Sequence, residues 1–167
     1  GWSKRAKDCF RRRYYQKEKE SIIMVEVVTN DKWRLPIGDY LKERCYISAD
    51  IGDKFSYIGF IEDEKILGGF LFTDYDGHNV YVHLALETPR LFTRKHIKYV
   101  FDYGFNQLKC GRMTAVCRNG YERNERILSG TGWTKEGIVR KVMKIKNEFV
   151  DAAVYGMLKD ECKWIRK

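Results

Sequence analysis

The sequence contains no apolar run long enough to cross a membrane. Its longest apolar stretches, such as residues 22–25, fall far below the roughly 18 residues that a transmembrane helix requires. The N-terminus is basic and aromatic, without the apolar segment of a secretory signal. Proline is scarce, at two residues, whereas 14% of the chain is aromatic. This composition excludes a low-complexity disordered chain and predicts one packed domain with no membrane partner.

Cysteine and histidine are too few and too irregularly spaced for a zinc or redox motif. The five cysteines stand at positions 9, 45, 110, 117 and 162, and the three histidines at positions 78, 83 and 96. Neither set has a CxxC or an HExxH spacing. We therefore predict no metal site, and reduced thiols in a cytoplasmic protein.

Acidic residues are outnumbered: 23 Asp and Glu stand against 32 Lys and Arg, which gives a net charge of +9. The excess is concentrated in the first 20 residues, which hold eight basic and three acidic side chains. We interpret residues 1–23 as a basic N-terminal extension and residues 24–167 as the domain. A solvated extension and an arm that binds nucleic acid or another acidic partner both fit this charge.

Hydrophobic patterning and turn residues predict the element order βαβββαβαββ. Strands are expected at residues 22–28, 55–61, 66–73, 79–86, 113–117, 137–145 and 152–158, and the last two pair across residues 146–151. Helices are expected at residues 33–46, as one helix or two broken near Pro36, at residues 93–109 with Thr93 and Gly111 as caps, and at residues 122–128. Strands two to four form an antiparallel meander, and a crossover then places strand five parallel to strand four. The fold class is α+β with a mixed central sheet.

Several segments resemble, in order and spacing, the GNAT superfamily of acyl-CoA N-acyltransferases. They read ILGGFLF at 66–72, VHLAL at 82–86, ILSGTGW at 127–133, EGIVR at 136–140 and VYGML at 154–158. The last two are similar to the EGxxR strand and the closing strand of the ribosomal-protein N-terminal acetyltransferase branch. Residues 156–164 also resemble the ends of small acetyltransferases encoded by tailed bacteriophages. The resemblance covers about residues 25–164.

This resemblance implies a GNAT-like sheet with helices on both faces and acetyl-CoA as the cosubstrate. It implies transfer of an acetyl group to a primary amine of a protein, either an N-terminus or a lysine, in the cytoplasm (the host cytoplasm if the gene is a phage gene). One alternative is acetylation of aminoacyl-tRNA, which the net charge of +9 fits. The other is a non-catalytic GNAT-like binder that inhibits a host protein.

The resemblance also implies where acetyl-CoA binds. In the family, strands four and five splay apart, and pantetheine pairs with the backbone of strand four. The diphosphate sits at the following helix N-terminus, where the usual glycine-rich loop is replaced here by a segment without glycine. The asparagine of the branch's N-x-x-S motif falls at Tyr121, and Asn119 is a candidate for its role. The implied cofactor-binding residues are Leu84, Ala85, Leu86, Arg90, Thr93, Arg94, Lys95, Asn119 and Tyr121.

The candidate general base is His83. Alternation along residues 79–86 places it on one face with Tyr81 and Ala85, on the strand that lines the family's active site. An imidazole with the usual pKa of about 6.5 suits proton acceptance near neutral pH. A strand histidine held by structural hydrogen bonds is the alternative, and Glu87 at the strand end is the second candidate base.

The general acid is less clearly marked. Many relatives use a tyrosine at the position that Leu128 occupies here. Tyr155 is therefore the candidate acid, with Tyr121 or direct release of the thiolate to water as alternatives. A structural role in the core is the other interpretation of Tyr155, because buried tyrosines commonly pack with one hydrogen bond.

Overall fold

The structure is a computed structural model that describes residues 25–165. The predicted extension, residues 1–23, lies outside the described residues. The described chain forms seven strands and three α-helices in the predicted order. These are β1 (Glu26–Val28), α1 (Asp31–Arg44), β2 (Phe55–Glu62), β3 (Lys65–Thr73), β4 (Asn79–Leu86), α2 (Arg94–Asp102), β5 (Arg112–Arg118), α3 (Glu122–Gly130), β6 (Thr134–Ile145) and β7 (Glu148–Leu158).

All seven strands belong to one sheet, in the spatial order β1-β2-β3-β4-β5-β7-β6. The β4–β5 pair is parallel, and the other neighbouring strands pair antiparallel. Two local turns build the meander: Asp63 and Glu64 both have positive φ, and the Asp76 carboxylate accepts the backbone N–H groups of His78 and Asn79. The predicted α+β class with a mixed sheet is confirmed.

Helices pack on both faces of the sheet, because successive strand residues point to opposite sides. On one face α1 buries Ile37 and Leu41 against Tyr57 and Leu71. On the other face α2 buries Val100 and Phe101 in a larger core, to which α3 adds Leu128. We call these the α1 face and the α2 face. No helix of residues 25–165 is long and apolar enough to span a membrane.

One of the two alternatives predicted for α1 is confirmed, and the predicted end of α2 needs correction. Helix α1 runs unbroken through Pro36, since burial of Ile37 and Leu41 outweighs the one missing backbone hydrogen bond. Helix α2 ends at Asp102, well before the predicted residue 109, and continues as one π-helical turn, Tyr103–Gln107. Lys109, with φ of 62°, reverses the chain, so Gly111 does not cap the helix. Gly111 instead leaves room for the His78 ring, which a Cβ atom would approach to 2.4 Å.

The last hairpin is longer than predicted. Strands β6 and β7 pair as far as Ile145 and Glu148, so a two-residue turn replaces the expected connection over residues 146–151. An Asp151 carboxylate oxygen accepts the backbone N–H of Lys141 at 3.0 Å, beside a bulge in β6. The exposed hairpin therefore extends beyond the packed part of the sheet and, as described below, reaches over the candidate site.

Candidate active site

The candidate site lies where β4 and β5 separate. The two strands pair from Asn79 and Arg112 up to Val82 and Ala115, and no further. Beyond that point β4 continues to pair with β3, and β5 with β7. The carboxyl ends of the only parallel strand pair in residues 25–165 therefore splay apart, as the resemblance implied.

A cleft of about 950 Å³ opens at this splay. Side chains from α1, β4, β5, α3 and β6 line it, including six of the predicted site residues. These are His83, Leu84, Ala85, Leu86, Glu87 and Tyr121. A concave site of this size is typical of small-ligand binding.

The cleft has two chemically different sides because of strand alternation. On β4, Val82 and Leu84 pack in the core of the α2 face, which places His83 on the α1 face. On β5, Ala115 and Cys117 belong to the same core, which places Val116 and Arg118 on the α1 face. The cleft therefore runs through the sheet and connects an α1 side with an α2 side.

His83 lies half-buried on the α1 side. Its Nε2 atom is 3.1 Å from the hydroxyl of Thr73, which is itself buried. Burial lowers the pKa of His83, and the nearby Asp74 carboxylate opposes this shift only in part. The imidazole is therefore neutral at pH 7 and carries one lone pair. With Nε2 held by Thr73, Nδ1 is the ring nitrogen left for a partner in the cleft.

The carboxylate of Glu87 already interacts with three polar side chains. One carboxylate oxygen accepts the hydroxyl of Tyr40 at 3.0 Å and the Arg44 guanidinium at 3.3 Å, and the other lies 3.8 Å from the Lys65 ammonium. Burial, and then the hydrogen bond to Glu87, raise the pKa of Tyr40 to about 12. The carboxylate thus fastens the end of α1 to the end of β4, and this arrangement favours His83 over Glu87 as the base.

The backbone N–H of Leu84 points into the gap. Glu87 donates its N–H to Leu67 on β3, so by alternation the N–H groups of Leu84 and Leu86 face away from β3. The Leu84 N–H donates to the Cys45 sulfur, which partly offsets the burial that raises the pKa of this thiol to about 12. A backbone donor that pairs with no neighbouring strand therefore lies next to His83 in the chain, with the neutral Cys45 thiol as its partner.

The residues predicted to hold a diphosphate surround the N-terminus of α2. Thr93 caps the helix by accepting the N–H of His96 at 3.1 Å, while Arg94 and Lys95 are exposed on its first turn. The first N–H groups of a helix lack internal acceptors and attract anions. Arg90 is turned away in an ion pair with Glu62 at 2.9 Å. Two cations and free N–H groups therefore fit a diphosphate without glycine.

The remaining predicted residues, Tyr155 and Asn119, lie outside the cleft lining, and Cys117 is a further residue within it. Tyr155 is 2% exposed in the core of the α2 face and does not line the cleft; burial first, and then Glu125, raise its pKa. Asn119 also lies outside the cleft lining and accepts the Lys135 ammonium at 3.1 Å. Cys117 lines the cleft, but burial raises the pKa of its thiol to about 11, which opposes a nucleophilic role.

Sequence reasoning missed part of the α1 side. Its further lining residues are Tyr40, Arg44, Tyr46, Arg118, Met143 and Ile145. Arg118 follows from alternation along β5, so that signal was present. The others come from α1, from Tyr46 just beyond its end and from the tip of the long hairpin, which are distant in sequence from β4. Among the described residues, no group of three His, Cys, Asp or Glu side chains is arranged to hold a metal ion.

No protein-family model matches the sequence. The chain is similar to the uncharacterized N-acetyltransferase YnaD of Bacillus subtilis, with 22% identity over 135 residues, covering 76% of this chain and 79% of that protein. It is also similar to the uncharacterized N-acetyltransferase p20 of Bacillus licheniformis, with 24% identity over 105 residues, covering 60% of this chain and 59% of that protein.

Solved structures share the architecture. Mutant forms of the spermidine/spermine N-acetyltransferase SpeG of Vibrio cholerae match with a TM-score of 0.66 and 12% identity, over 82% of this chain and 95% of theirs. The ribosomal-protein-S5-alanine acetyltransferase of Vibrio fischeri matches with a TM-score of 0.65 and 15% identity, over 84% and 96%. A GNAT-family acetyltransferase of Bacillus anthracis matches with a TM-score of 0.59 and 17% identity, over 83% and 96%. The chain has the GNAT fold, and the curated names and these neighbours together support an acetyltransferase enzyme.

Proposed function

We propose that this protein transfers the acetyl group of acetyl-CoA to a primary amine of a protein, at an N-terminus or a lysine. The observation that carries the proposal is the splay of β4 and β5, which brings the His83 imidazole and the Leu84 N–H into one cleft. An acyl transfer to an amine needs a proton acceptor and a donor to the carbonyl oxygen, and these two groups supply them.

His83 takes the proton of the amine. An amine is protonated near neutral pH and must lose a proton before it attacks a thioester. His83 is neutral because burial lowers its pKa, and Nδ1 remains available in the cleft. It accepts the proton directly or through one water. Thr73 holds the ring in place through Nε2, which makes it a positioning residue.

Leu84 stabilises the oxygen on which charge develops. Acetyl-CoA, when bound, supplies an acetyl group activated as a thioester. A backbone N–H is a fixed donor that needs no reorganisation during the reaction. The Cys45 thiol has to leave this donor before a carbonyl oxygen takes its place. Arg94 and Lys95 hold the diphosphate, and the backbone from Leu84 to Leu86 lies along the pantetheine.

The leaving thiolate receives its proton from a tyrosine or from water. Tyr121 lines the cleft and is 47% exposed, so its hydroxyl has access to a leaving group. Tyr155 acts as the acid only if the core around it opens, because it is 2% exposed and outside the lining. Direct release to water requires no residue.

The acceptor is proposed to be a protein rather than a polyamine. Four arginines line the cleft, at positions 44, 118, 123 and 126, against the two carboxylates of Glu87 and Glu122. Such a lining repels a polycation. The V. cholerae neighbour is named for spermidine and spermine and the V. fischeri neighbour for a ribosomal-protein alanine; the charge of this cleft supports the second kind of acceptor. The likeness to phage enzymes and the nucleic-acid arm remain predictions.

Isothermal titration with acetyl-CoA tests the proposal first. We expect binding, and a rise in melting temperature, because a ligand that binds only the folded state stabilises it. Acetyl transfer to a mixture of peptides, with spermidine in a parallel assay, then identifies the acceptor class. Absence of binding at millimolar acetyl-CoA would contradict the proposal and favour a non-catalytic binder. Acetylation of spermidine alone would contradict the protein acceptor.

A further inference from the structure

Arg118 occupies a distinctive place in the cleft. It ends β5 on the α1 face, the face of His83, and its side chain is exposed at the cleft lining. Among the described residues it has no ion-pair partner, and neither has Arg123 of α3, whereas Arg44 is paired with Glu87 and Arg126 lies 4.0 Å from Glu122. A guanidinium that faces a cleft without a carboxylate partner is suited to bind an anion.

The anion lies on the acceptor side. The diphosphate site at the N-terminus of α2 places acetyl-CoA on the α2 side of the cleft, so the amine approaches from the α1 side. Val116 directly follows the last paired residue of β5, as His83 follows the last paired residue of β4, and Arg118 lies two residues further along β5. Two residues of strand span about 7 Å. An extended peptide with its amine at His83 therefore brings its second or third side chain to Arg118.

The surroundings of Arg118 suit a peptide. Its β7 partner is Ala152, and Met143 and Ile145 of the hairpin line the same cleft. Met143 pairs with Val150, which by alternation shares the face of Ala152 and Arg118. The guanidinium is thus set in an aliphatic wall. An aliphatic wall beside a cation suits an extended acidic peptide, and acetylation of aminoacyl-tRNA is an outcome that the test below includes.

We propose that Arg118 binds a carboxylate of the acceptor, so that the preferred acceptor is a protein amine followed within two residues by Asp or Glu. This inference rests on the proposed acetyltransferase function and names the acceptor sequence that the same cleft selects. Arg118 is then a specificity-determining residue that touches the substrate, while His83 performs the proton transfer.

The test compares two lysine-free peptides that differ only at positions two and three, with glutamate in one and glutamine in the other. We expect kcat/KM to be about tenfold higher for the glutamate peptide, because a charge-assisted hydrogen bond is lost with glutamine. In R118Q this preference should disappear through a higher KM for the glutamate peptide. The rate with the glutamine peptide should fall by a smaller factor, and calorimetry should give a similar dissociation constant for acetyl-CoA.

A matched control separates a direct contact from general attraction. Arg140 is an exposed hairpin cation outside the cleft lining, so R140Q removes the same charge without the contact. It should keep the preference for glutamate. Equal loss in R140Q and R118Q, or no preference in the unaltered protein, would overturn the inference. Acetylation of aminoacyl-tRNA in place of either peptide would also overturn it. Acetyl-CoA titration shows separately whether the proposed function itself holds.

Discussion

The two ends of the β4–β5 pair use polar residues in opposite ways. At the paired end, Thr114 donates its hydroxyl to Asn79 at 2.7 Å and accepts the Arg112 Nε–H at 3.0 Å. Arg112 also forms a bidentate ion pair with Glu136 of β6, one bond of which measures 2.8 Å. At the splayed end, His83 and Arg118 lie on the same face of the same strands, and each has a hydrogen-bonding group available to a ligand.

This contrast distinguishes structural from functional polar residues. A buried polar group is costly unless it is hydrogen-bonded, so the paired end satisfies its groups internally. The side chains of Arg112 on β5 and Glu136 on β6 meet above Gly156 of β7, the strand between them. A Cβ atom at Gly156 would lie 2.3 Å from a Glu136 oxygen. The splayed end leaves the His83 Nδ1 and the Arg118 guanidinium open to a ligand. Substitutions at the two ends should therefore affect different measurements.

The largest expected effect is on turnover, at the splayed end. H83Q should lower kcat by about 10²- to 10⁴-fold, the usual loss of a general base, with acetyl-CoA affinity nearly unchanged because His83 faces the α1 side. Steady-state kinetics and calorimetry measure both quantities. A well-folded H83Q protein with most of its activity would refute the assignment, and E87Q would then become the variant to examine.

A smaller effect is expected at the N-terminus of α2, the proposed diphosphate site. R94Q/K95Q should weaken acetyl-CoA binding by about tenfold, since it removes two cations from this proposed site. K98Q serves as the control, because Lys98 is exposed one turn further along α2. Calorimetry that gives the same dissociation constant for both variants would place the diphosphate elsewhere.

At the paired end the effect should be on stability alone. G156A forces the Glu136 carboxylate away from Arg112 and should lower the free energy of unfolding by about 1 kcal/mol, a value kept small because the pair is partly exposed. Turnover should not change. G137A is the matched control, since a Cβ atom at Gly137 of β6 meets nothing within 4 Å. Urea unfolding of the two variants measures the difference. Equal free energies of unfolding would show that the Arg112–Glu136 pair contributes little to stability.

The smallest expected effect is a pH dependence of stability. Burial lowers the pKa of His83 in the folded state, so below pH 6.5 the unfolded chain binds more protons at this residue. The free energy of unfolding should therefore fall as the pH drops through this range. H83Q should lose less stability than the unaltered protein between pH 7.5 and pH 5.5. Parallel urea titrations with identical losses would show that His83 is not buried in its neutral form.

The sequence was most informative where a structure depends on neighbours in the chain. The antiparallel meander of β2, β3 and β4 and the alternation along β4 that groups His83 with Tyr81 and Ala85 depend on local sequence, and each was predicted. Strand alternation also marks Arg118, although no motif draws attention to it. These features need only the pleat of a strand and the conformational preferences of turn residues.

Features that depend on distant contacts escaped prediction. Arg90 forms an ion pair with Glu62, 28 residues away, and Glu87 accepts a hydrogen bond from Tyr40 of α1. Neither contact can be predicted from the neighbouring residues in the sequence. The resemblance suggested Tyr155, but a pattern cannot tell how deeply α2 and α3 cover β7. Met143 and Ile145 reach the cleft only because the hairpin extends further than its turn residues indicated.

The pH dependence of kcat tests most directly whether the splayed end is the reacting end. In the unaltered protein, kcat at saturating acetyl-CoA and peptide should fall as the pH drops and His83 becomes protonated, because a protonated His83 no longer accepts the amine proton. H83Q should lack this ionisation and show a uniformly low rate. The same ionisation in both proteins would contradict the account, since the proton would then pass to another group.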